Sequence, residues 1–306
     1  MIQNRILIII VTYNAIRHNW IQNCLNSIAK STVTPDVFIV DNNSTDATCA
    51  YIRSLDKKYT LVESEQNLGF GKANNLGLEH ALKHNYDYVF LLNQDAYLES
   101  DTLEKLLSLD LTGYGIISPL QLNGNGNGVD EDFLEFLGPR QSPDFLSDGI
   151  VNGFNEKIYD CNFVMAAAWF MPIETVKKIG GFSPYFYHYG EDENYCHRVL
   201  FHKLKIGIYP KCKIYHDRFK RQGEFFNPVE GPFRHHVVRI LNPLLSTYRF
   251  RSNLNVLIYY FIAILLNKQN EKMVFSKLYR FLHNKKEIEG HLKKTRAGSE
   301  NLYLNI

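Results

Sequence analysis

Four acidic residues of this chain stand where strand-like runs stop or a helix-like run begins: Asp41, Asp95 and the adjacent pair Glu191-Asp192. Each suits different chemistry. A hard divalent cation such as Mg²⁺ takes oxygen ligands and binds through one or two carboxylates, with phosphate oxygens and waters completing its shell. Asp95, closing Leu92-Asn93-Gln94-Asp95, fits that role, and capping a turn is its ordinary alternative. His216, in Ile214-Tyr215-His216-Asp217, offers a second ligand or a phosphate contact, or a structural imidazole. Asp41 can accept the N–H of a pyrimidine or guanine base. Asn43, Ser44 and Asp46 can cap the helix that follows, so capping does not require Asp41. Adjacent carboxylates such as Glu191 and Asp192 repel. In a partly desolvated site one of them rises toward the range of a general base, although acidic residues also favour a helix's first turn for electrostatic reasons alone.

These side chains need a scaffold that brings distant strand ends together. Ile6 to Val11 is a continuous aliphatic run of the kind that forms a parallel strand buried on both faces, and Thr12-Tyr13-Asn14 ends it. A helix is predicted over Trp20 to Ala29, a strand over Val37 to Val40, a strand near Thr60 to Glu63, a helix from Lys72 to His84 and a strand over Tyr88 to Leu92. This alternation predicts a doubly wound, mostly parallel α/β sheet of Rossmann-like type, with ligands beyond the carboxyl ends of its strands. From Leu120 to Asp160 the pattern weakens around Asn123-Gly124-Asn125-Gly126-Asn127-Gly128, which reads as a mobile connection. Order is expected again at Trp169-Phe170-Met171, in helices over Glu174 to Ile179 and Glu191 to Phe201, and in a strand over Lys205 to Tyr209.

Composition narrows the function classes. A hydrophobic share of 45% and a charged share of 22% exclude a disordered or fibrous chain, and a net charge of +2 gives no general attraction to nucleic acid. Five scattered cysteines lack any C-x-x-C spacing, which fits reduced thiols. Met1 to Arg5 leads directly into the first strand without the regions of a signal peptide, so a cytoplasmic location is expected. Beyond Arg234 the chain mixes apolar helical stretches with Lys and Arg. Asn255 to Leu266 is shorter than the roughly 20 residues a spanning helix needs. With Arg249, Arg251, Lys268 and Lys272 beside it, this stretch fits either a membrane-surface helix or one packed on the catalytic domain or in a homodimer interface.

Taken in order, Val11-Thr12-Tyr13-Asn14, Val40-Asp41-Asn42-Asn43-Ser44-Thr45-Asp46, Asn67-Leu68-Gly69-Phe70-Gly71-Lys72-Ala73-Asn74-Asn75, Leu92-Asn93-Gln94-Asp95, Gly180-Gly181-Phe182, Gly190-Glu191-Asp192 and His216 form a pattern over about Ile6 to His216. It resembles the family 2 glycosyltransferases, in particular the rhamnosyltransferase-like branch with a GT-A fold. The resemblance implies a catalytic domain over residues 1–233, a helical C-terminal segment over 234–306 and an inverting, Mg²⁺- or Mn²⁺-dependent transfer. The donor would be dTDP-rhamnose or a UDP-hexose. The acceptor would be a cell-surface saccharide, lipid-linked at the inner membrane face. Donor contacts would come from Thr12, Tyr13, Asn14, Asp41, Asn43, Asn67, Gly69, Phe70, Asn75, Asn93, Gln94 and Asp95. Asp95 and His216 would hold the metal, Asp192 or Glu191 would act as base, and Trp169 would stack on the acceptor. The metal motif is often Asp-x-Asp in this family, and Asn93-Gln94-Asp95 has one charge fewer. Arg218, Lys220 and Arg221 are candidates to assist the leaving group.

Two other activities are disfavoured. No Gly-rich phosphate loop follows the first strand, which argues against a nucleotidyltransferase or a dehydrogenase. A non-catalytic glycan-binding protein of the same fold would have no need of both Asp95 and Asp192.

Overall fold

The computed structural model describes residues 4–55, 59–218, 230–245, 255, 258–259, 261–262, 271–283, 285–298 and 300–306. The first half alternates as the hydrophobic pattern requires: β1 (Ile6–Thr12), α1 (Trp20–Ala29), β2 (Asp36–Asp41), α2 (Thr48–Arg53), β3 (Thr60–Glu63), α3 (Phe70–Lys83) and β4 (Tyr88–Leu92). Then come β5 (Ala96–Leu98), α4 (Thr102–Leu107), β6 (Tyr114–Asn123), α5 (Glu131–Leu134), α6 (Phe145–Val151), β7 (Tyr159–Cys161), β8 (Ala168–Pro172), α7 (Ile173–Ile179), α8 (Glu191–Phe201) and β9 (Lys205–His216). The C-terminal helices are α9 (Glu230–Leu241), α10 (Glu271–His283) and α11 (Lys285–Ala297).

The sheet runs β3-β2-β1-β4-β8-β6-β9-β5, with β7 also paired to β9. β1, β2, β3 and β4 are mutually parallel, β6 pairs parallel with β9, and β8, β5 and β7 run against their neighbours. It is therefore a curled, mostly parallel sheet, as the alternation predicted. The chain turns from β1 outward to β2 on one side and to β4 on the other. That reversal opens a crevice at their carboxyl ends. Successive side chains of β1 serve both faces. Leu7 and Ile9 join one core with α3 and α7, while Ile6, Ile8 and Ile10 join the other with α1 and α4. A smaller third core joins Phe186 to α9, α10 and α11 through Val237, Leu241, Val274, Ile288 and Leu292.

The stretch from Leu120 to Asp160 is ordered, contrary to the expectation of a mobile connection. Asn123 N–H donates to Gly128 O, Gly126 N–H to Asn123 O, and Leu122 bridges Val129. Beyond that turn, Phe133, Leu137, Phe145 and Tyr159 are buried in the main core. The Asn-Gly repeat is a tight reversal that these apolar residues anchor. β9 also runs past Tyr209 to His216, which carries His216 alongside β5, in register with Ala96.

The residue boundary expected at 233–234 falls inside α9. The segment Asn255–Leu266 lies largely outside the described residues, as do Lys220, Arg221, Arg249, Arg251 and Lys268. Among the described residues, no helix is long and apolar enough to cross a membrane.

α3 lies so close to β1 that a Cβ on Gly77 would sit 2.5 Å from Ile9 Cγ2. Gly77→Val should therefore destabilise the fold by about 1–3 kcal/mol through overpacking, more than helix propensity returns. Urea unfolding should show this as a lower midpoint with an unchanged slope.

Candidate active site

At the ends of β1 and β2 the polar residues first satisfy one another. Asp41 is 2% exposed, and its Oδ1 accepts from Thr12 Oγ1 at 2.8 Å and from Ser44 Oγ at 2.5 Å. Its Oδ2 accepts from Ser44 N at 2.8 Å. Asp46 accepts from the Thr48 backbone and hydroxyl at the start of α2. Asn14 Oδ1 accepts from Thr45 N, Asn14 N donates to Ser44 Oγ, and Asn43 is exposed with a left-handed backbone. Cys49 borders the same pocket. Burial, with hydrogen bonding to Asp41 and Glu63, pushes its thiol up to about 12.

The Asn67-Leu68-Gly69-Phe70 turn is fastened to β2 by a residue the sequence reading passed over. Asn42, buried, donates through Nδ2 to Asn67 Oδ1 at 2.9 Å and accepts Leu68 N at 2.6 Å. Gly69 has φ +79°, and a Cβ there would lie 2.0 Å from Tyr187 O, so only glycine allows the Tyr187 loop to close over this turn. Phe70 contacts Phe182 edge to face at 5.9 Å. Gln94 ties the β4 end to Tyr13 by accepting Tyr13 N at 2.8 Å. Tyr13 itself is exposed.

Two expected ligand residues are committed elsewhere. Asn75 is buried, with its amide bonded to Phe182 N, Phe182 O and Tyr303 O, so it orders the Gly180-Gly181-Phe182 turn and cannot also reach a donor. Trp169 is 0% exposed, donates Nε1–H to Val164 O at 3.2 Å and stacks on Phe182 at 5.9 Å. With no free ring face, it is a core residue rather than an acceptor platform. A local apolar run reads the same in either case.

Asp95 and His216 do meet. Oδ1 of Asp95 lies 3.5 Å from His216 Nε2, and Asp217 N donates to Asp95 O at 2.8 Å. Cis ligands of an octahedral cation with ~2.0–2.1 Å bonds stand about 3 Å apart, so this pair fits one cation. Among the described residues no group of three or more His, Cys, Asp or Glu side chains is placed to hold a metal ion. Burial opposes charge on His216, but Asp95 and Asp130 outweigh it and hold the ring above its ordinary value. Arg218 donates through Nε to His216 Nδ1 at 3.1 Å, forms an ion pair with Asp130 Oδ2 at 2.9 Å, reaches Met165 Sδ and pairs with Asp132.

Glu191 and Asp192 open α8, whose N-terminal N–H groups favour negative charge. Glu191 is 4% exposed, and its Oε2 is buried without a hydrogen-bond partner. Burial, then the neighbouring Asp192, pushes its carboxyl up to about 7. Asp192 is half-buried. Burial raises it too, against hydrogen bonds from the backbone of Glu193 and Ala166. One short segment joins the two acidic centres: Ala166 bonds Asp192, and Ala167 O accepts Asn93 N at 2.9 Å.

These features accord with what the chain is similar to. Residues 7–168, more than half of it, match the glycosyl transferase family 2 model, and the chain belongs to that family. An uncharacterized glycosyltransferase of Haemophilus influenzae is 31% identical over 118 residues, which is 37% of this chain and 45% of that relative. Thus the match spans less than half of the relative's length. S. aureus TarS shares the fold, at 17% identity and a TM-score of 0.59 over 96% of this chain and 53% of that one. TarS residues 1–349, solved with UDP-GlcNAc, gives 0.57 at 18% identity over 96% and 88%. A Pyrobaculum calidifontis mannosyltransferase, solved with GDP-Man and Mn²⁺, gives 0.54 at 17% over 98% and 88%. The fold is thus that of GT-A glycosyltransferases.

The buried Glu191 has a measurable consequence. A carboxyl raised from 4.5 to about 7 favours the neutral form in the folded state, so its contribution is complete below pH 4.5 and is lost as pH rises through 7. Relative to Glu191→Gln, the wild type should lose stability across that window by about 1.4 kcal/mol per unit of displacement. Urea unfolding at a series of pH values reads it, and parallel profiles would contradict the burial.

Proposed function

We propose that this glycosyltransferase is an inverting enzyme that moves a sugar from a nucleoside diphosphate donor, dTDP-rhamnose or a UDP-hexose, to a saccharide of a bacterial surface polysaccharide. The reading is supported above all by segment 166–167: Ala167 O accepts Asn93 N at 2.9 Å and the Ala166 backbone neighbours Asp192, so the proposed base and the proposed diphosphate site contact one short segment. The neighbours solved with UDP-GlcNAc, and with GDP-Man and Mn²⁺, support a nucleotide-sugar donor with a divalent cation.

In this mechanism Thr12, Asn14, Asp41 and the Asn67–Phe70 turn bind the nucleoside, with Asp41 accepting a base N–H. Asp95 and His216 would hold the Mg²⁺ or Mn²⁺, which would supply charge neutralisation for the departing diphosphate. Asp192, the more accessible carboxylate of its pair, takes the proton of the acceptor hydroxyl as that oxygen attacks the anomeric carbon opposite the diphosphate. Burial raises the carboxyl of Asp192, and Asp192 in turn adds to burial in raising Glu191. Arg218 is engaged by Asp130 and Asp132, so its first task is local order rather than leaving-group assistance.

A donor screen that measures nucleoside diphosphate release tests the reading. Asp192→Asn should lower transfer about 10²–10⁴-fold while donor binding persists. Thorough EDTA treatment should abolish transfer, and Mn²⁺ should restore it. Full activity in EDTA would remove Asp95 from its role.

A lipid-linked acceptor at the inner membrane face is supported by exposed Ile258, Phe261, Ile262, Phe275 and Tyr279 in the basic C-terminal helices. In flotation with anionic liposomes, the double variant Phe275→Ser and Tyr279→Ser should lose binding. Equal recovery of variant and wild type would defeat the membrane reading. A homodimer through these helices would appear instead as a concentration-dependent mass.

A further inference from the structure

We infer that Arg234 is a positioning residue for the acid pair: from α9 it seats the turn that starts α8 and supplies a positive charge beside Glu191 and Asp192, an inference that rests on the base role proposed for Asp192. Arg234 and Val238 stand one helical turn apart and share a face of α9. That face covers the two residues that lead into the pair. The Arg234 guanidinium lies over the Tyr189 ring at 4.7 Å, and a Cβ on Gly190 would stand 2.8 Å from Val238 Cγ2. Tyr189 and Gly190 both have left-handed backbones, with φ +66° and +91°, and Glu191 opens α8 directly after them. Contacts with α9 thus set the direction in which the acid pair leaves that turn.

The pair needs such a charge. A base must meet the acceptor hydroxyl without its proton, yet burial raises both carboxyls, and Glu191 Oε2 has no hydrogen-bond partner to offset it. Backbone hydrogen bonds and Arg234 oppose burial at both residues. Glu193, in the same helical turn, is raised by burial and by Asp192 and lowered by the same guanidinium. Neighbouring titratable groups add no such charge near neutral pH. Burial keeps Cys196 a thiol and pushes His197 down to about 4, and it holds His235 and His236, which follow Arg234 on α9, below their ordinary value. His188 lies against the Tyr189 ring, with 4.0 Å between centroids, in the loop itself. On the α3 side Gly71 faces Glu191 and brings no side chain. The ionised fraction of the pair therefore depends on Arg234.

The test is a ¹³C NMR titration of the side-chain carboxyls in the full chain, which requires no substrate. Arg234→Met keeps an unbranched apolar stem and removes the charge. In that variant the Glu191 and Asp192 resonances, which report the pair as a unit, should titrate at higher pH than in the wild type. Arg234→Lys should bring the titration back toward the wild type, and Arg239→Met, on the same helix, should leave it in place. With the donor found by the release screen, transfer by Arg234→Met should match the wild type at high pH. Below the wild-type midpoint it should be lower by about tenfold for each unit of displacement. An unmoved titration, an equal shift in Arg239→Met, or a loss of transfer that is uniform in pH and not rescued by lysine overturns the inference and leaves the base standing. Full transfer by Asp192→Asn overturns both. Should Arg234→Met fail to fold, ¹⁵N NMR of the wild-type guanidinium decides: the Nε resonance of Arg234 should follow the ionisation of the pair, and a resonance that stays flat across it overturns the inference.

Discussion

The architecture of the cleft depends on how the carboxyl group of Asp41 is satisfied. A buried carboxylate left without donors costs several kcal/mol, so the residues around it are arranged by that demand. Thr12 supplies a hydroxyl from the end of β1, and Ser44 supplies a hydroxyl and an N–H from the turn beyond β2. Those bonds stop both strands at the same level. Asn42 follows immediately, and its amide carries the Asn67–Gly69 turn to the same edge. Three segments far apart in the chain thus converge through polar side chains rather than through the aliphatic core, which sets strand spacing but not where a strand must end.

The two acidic centres beyond this edge are handled differently. Asp95 and His216 are held by cross-strand register, since Ala96 pairs with His216 and Asp217 N donates to Asp95 O. Glu191 and Asp192 are held by a helix start whose approach bends through left-handed Tyr189 and Gly190. The first arrangement is stiff, as one sheet carries both side chains. The second relies on loop packing, with Arg234 over Tyr189 and Phe186 in the C-terminal core closing it from outside.

How much of this the sequence disclosed depends on the range of the forces involved. Ile6 to Val11 and Tyr88 to Leu92 announce themselves as buried strands because each residue is aliphatic or aromatic, and their ends are marked by abrupt polarity. β6 gave no such signal. Ser118, Pro119 and Gln121 interrupt its apolar run, and the ladder to β9 shifts register at Pro119/Leu120. Asp95 and His216 were legible as separate polar side chains at strand ends. Asp130 gave no such signal, because it meets His216 and Arg218 only when an irregular stretch folds against β9. Asn75 and Trp169 were misassigned for one reason: both touch Phe182, a contact across about a hundred positions or within a core that local pattern cannot display.

Residues 301–306 return to the catalytic domain. Leu302 O accepts Gly181 N at 2.7 Å, and its close approach to Gly180 leaves no room for a side chain there. Tyr303 meets Asn75 and lies over Arg198, a buried guanidinium whose partners are the carbonyls of Ile179 and Gly181. The bond between Asn75 and Tyr303 spans 228 positions. During synthesis, which proceeds at ~5–20 residues per second, the sheet and its polar edge emerge well before the strand of chain that braces the Gly-Gly-Phe turn. The Gly-Gly-Phe turn thereby gains its brace late in the life of each new molecule, after the residues of the polar strand edge have emerged.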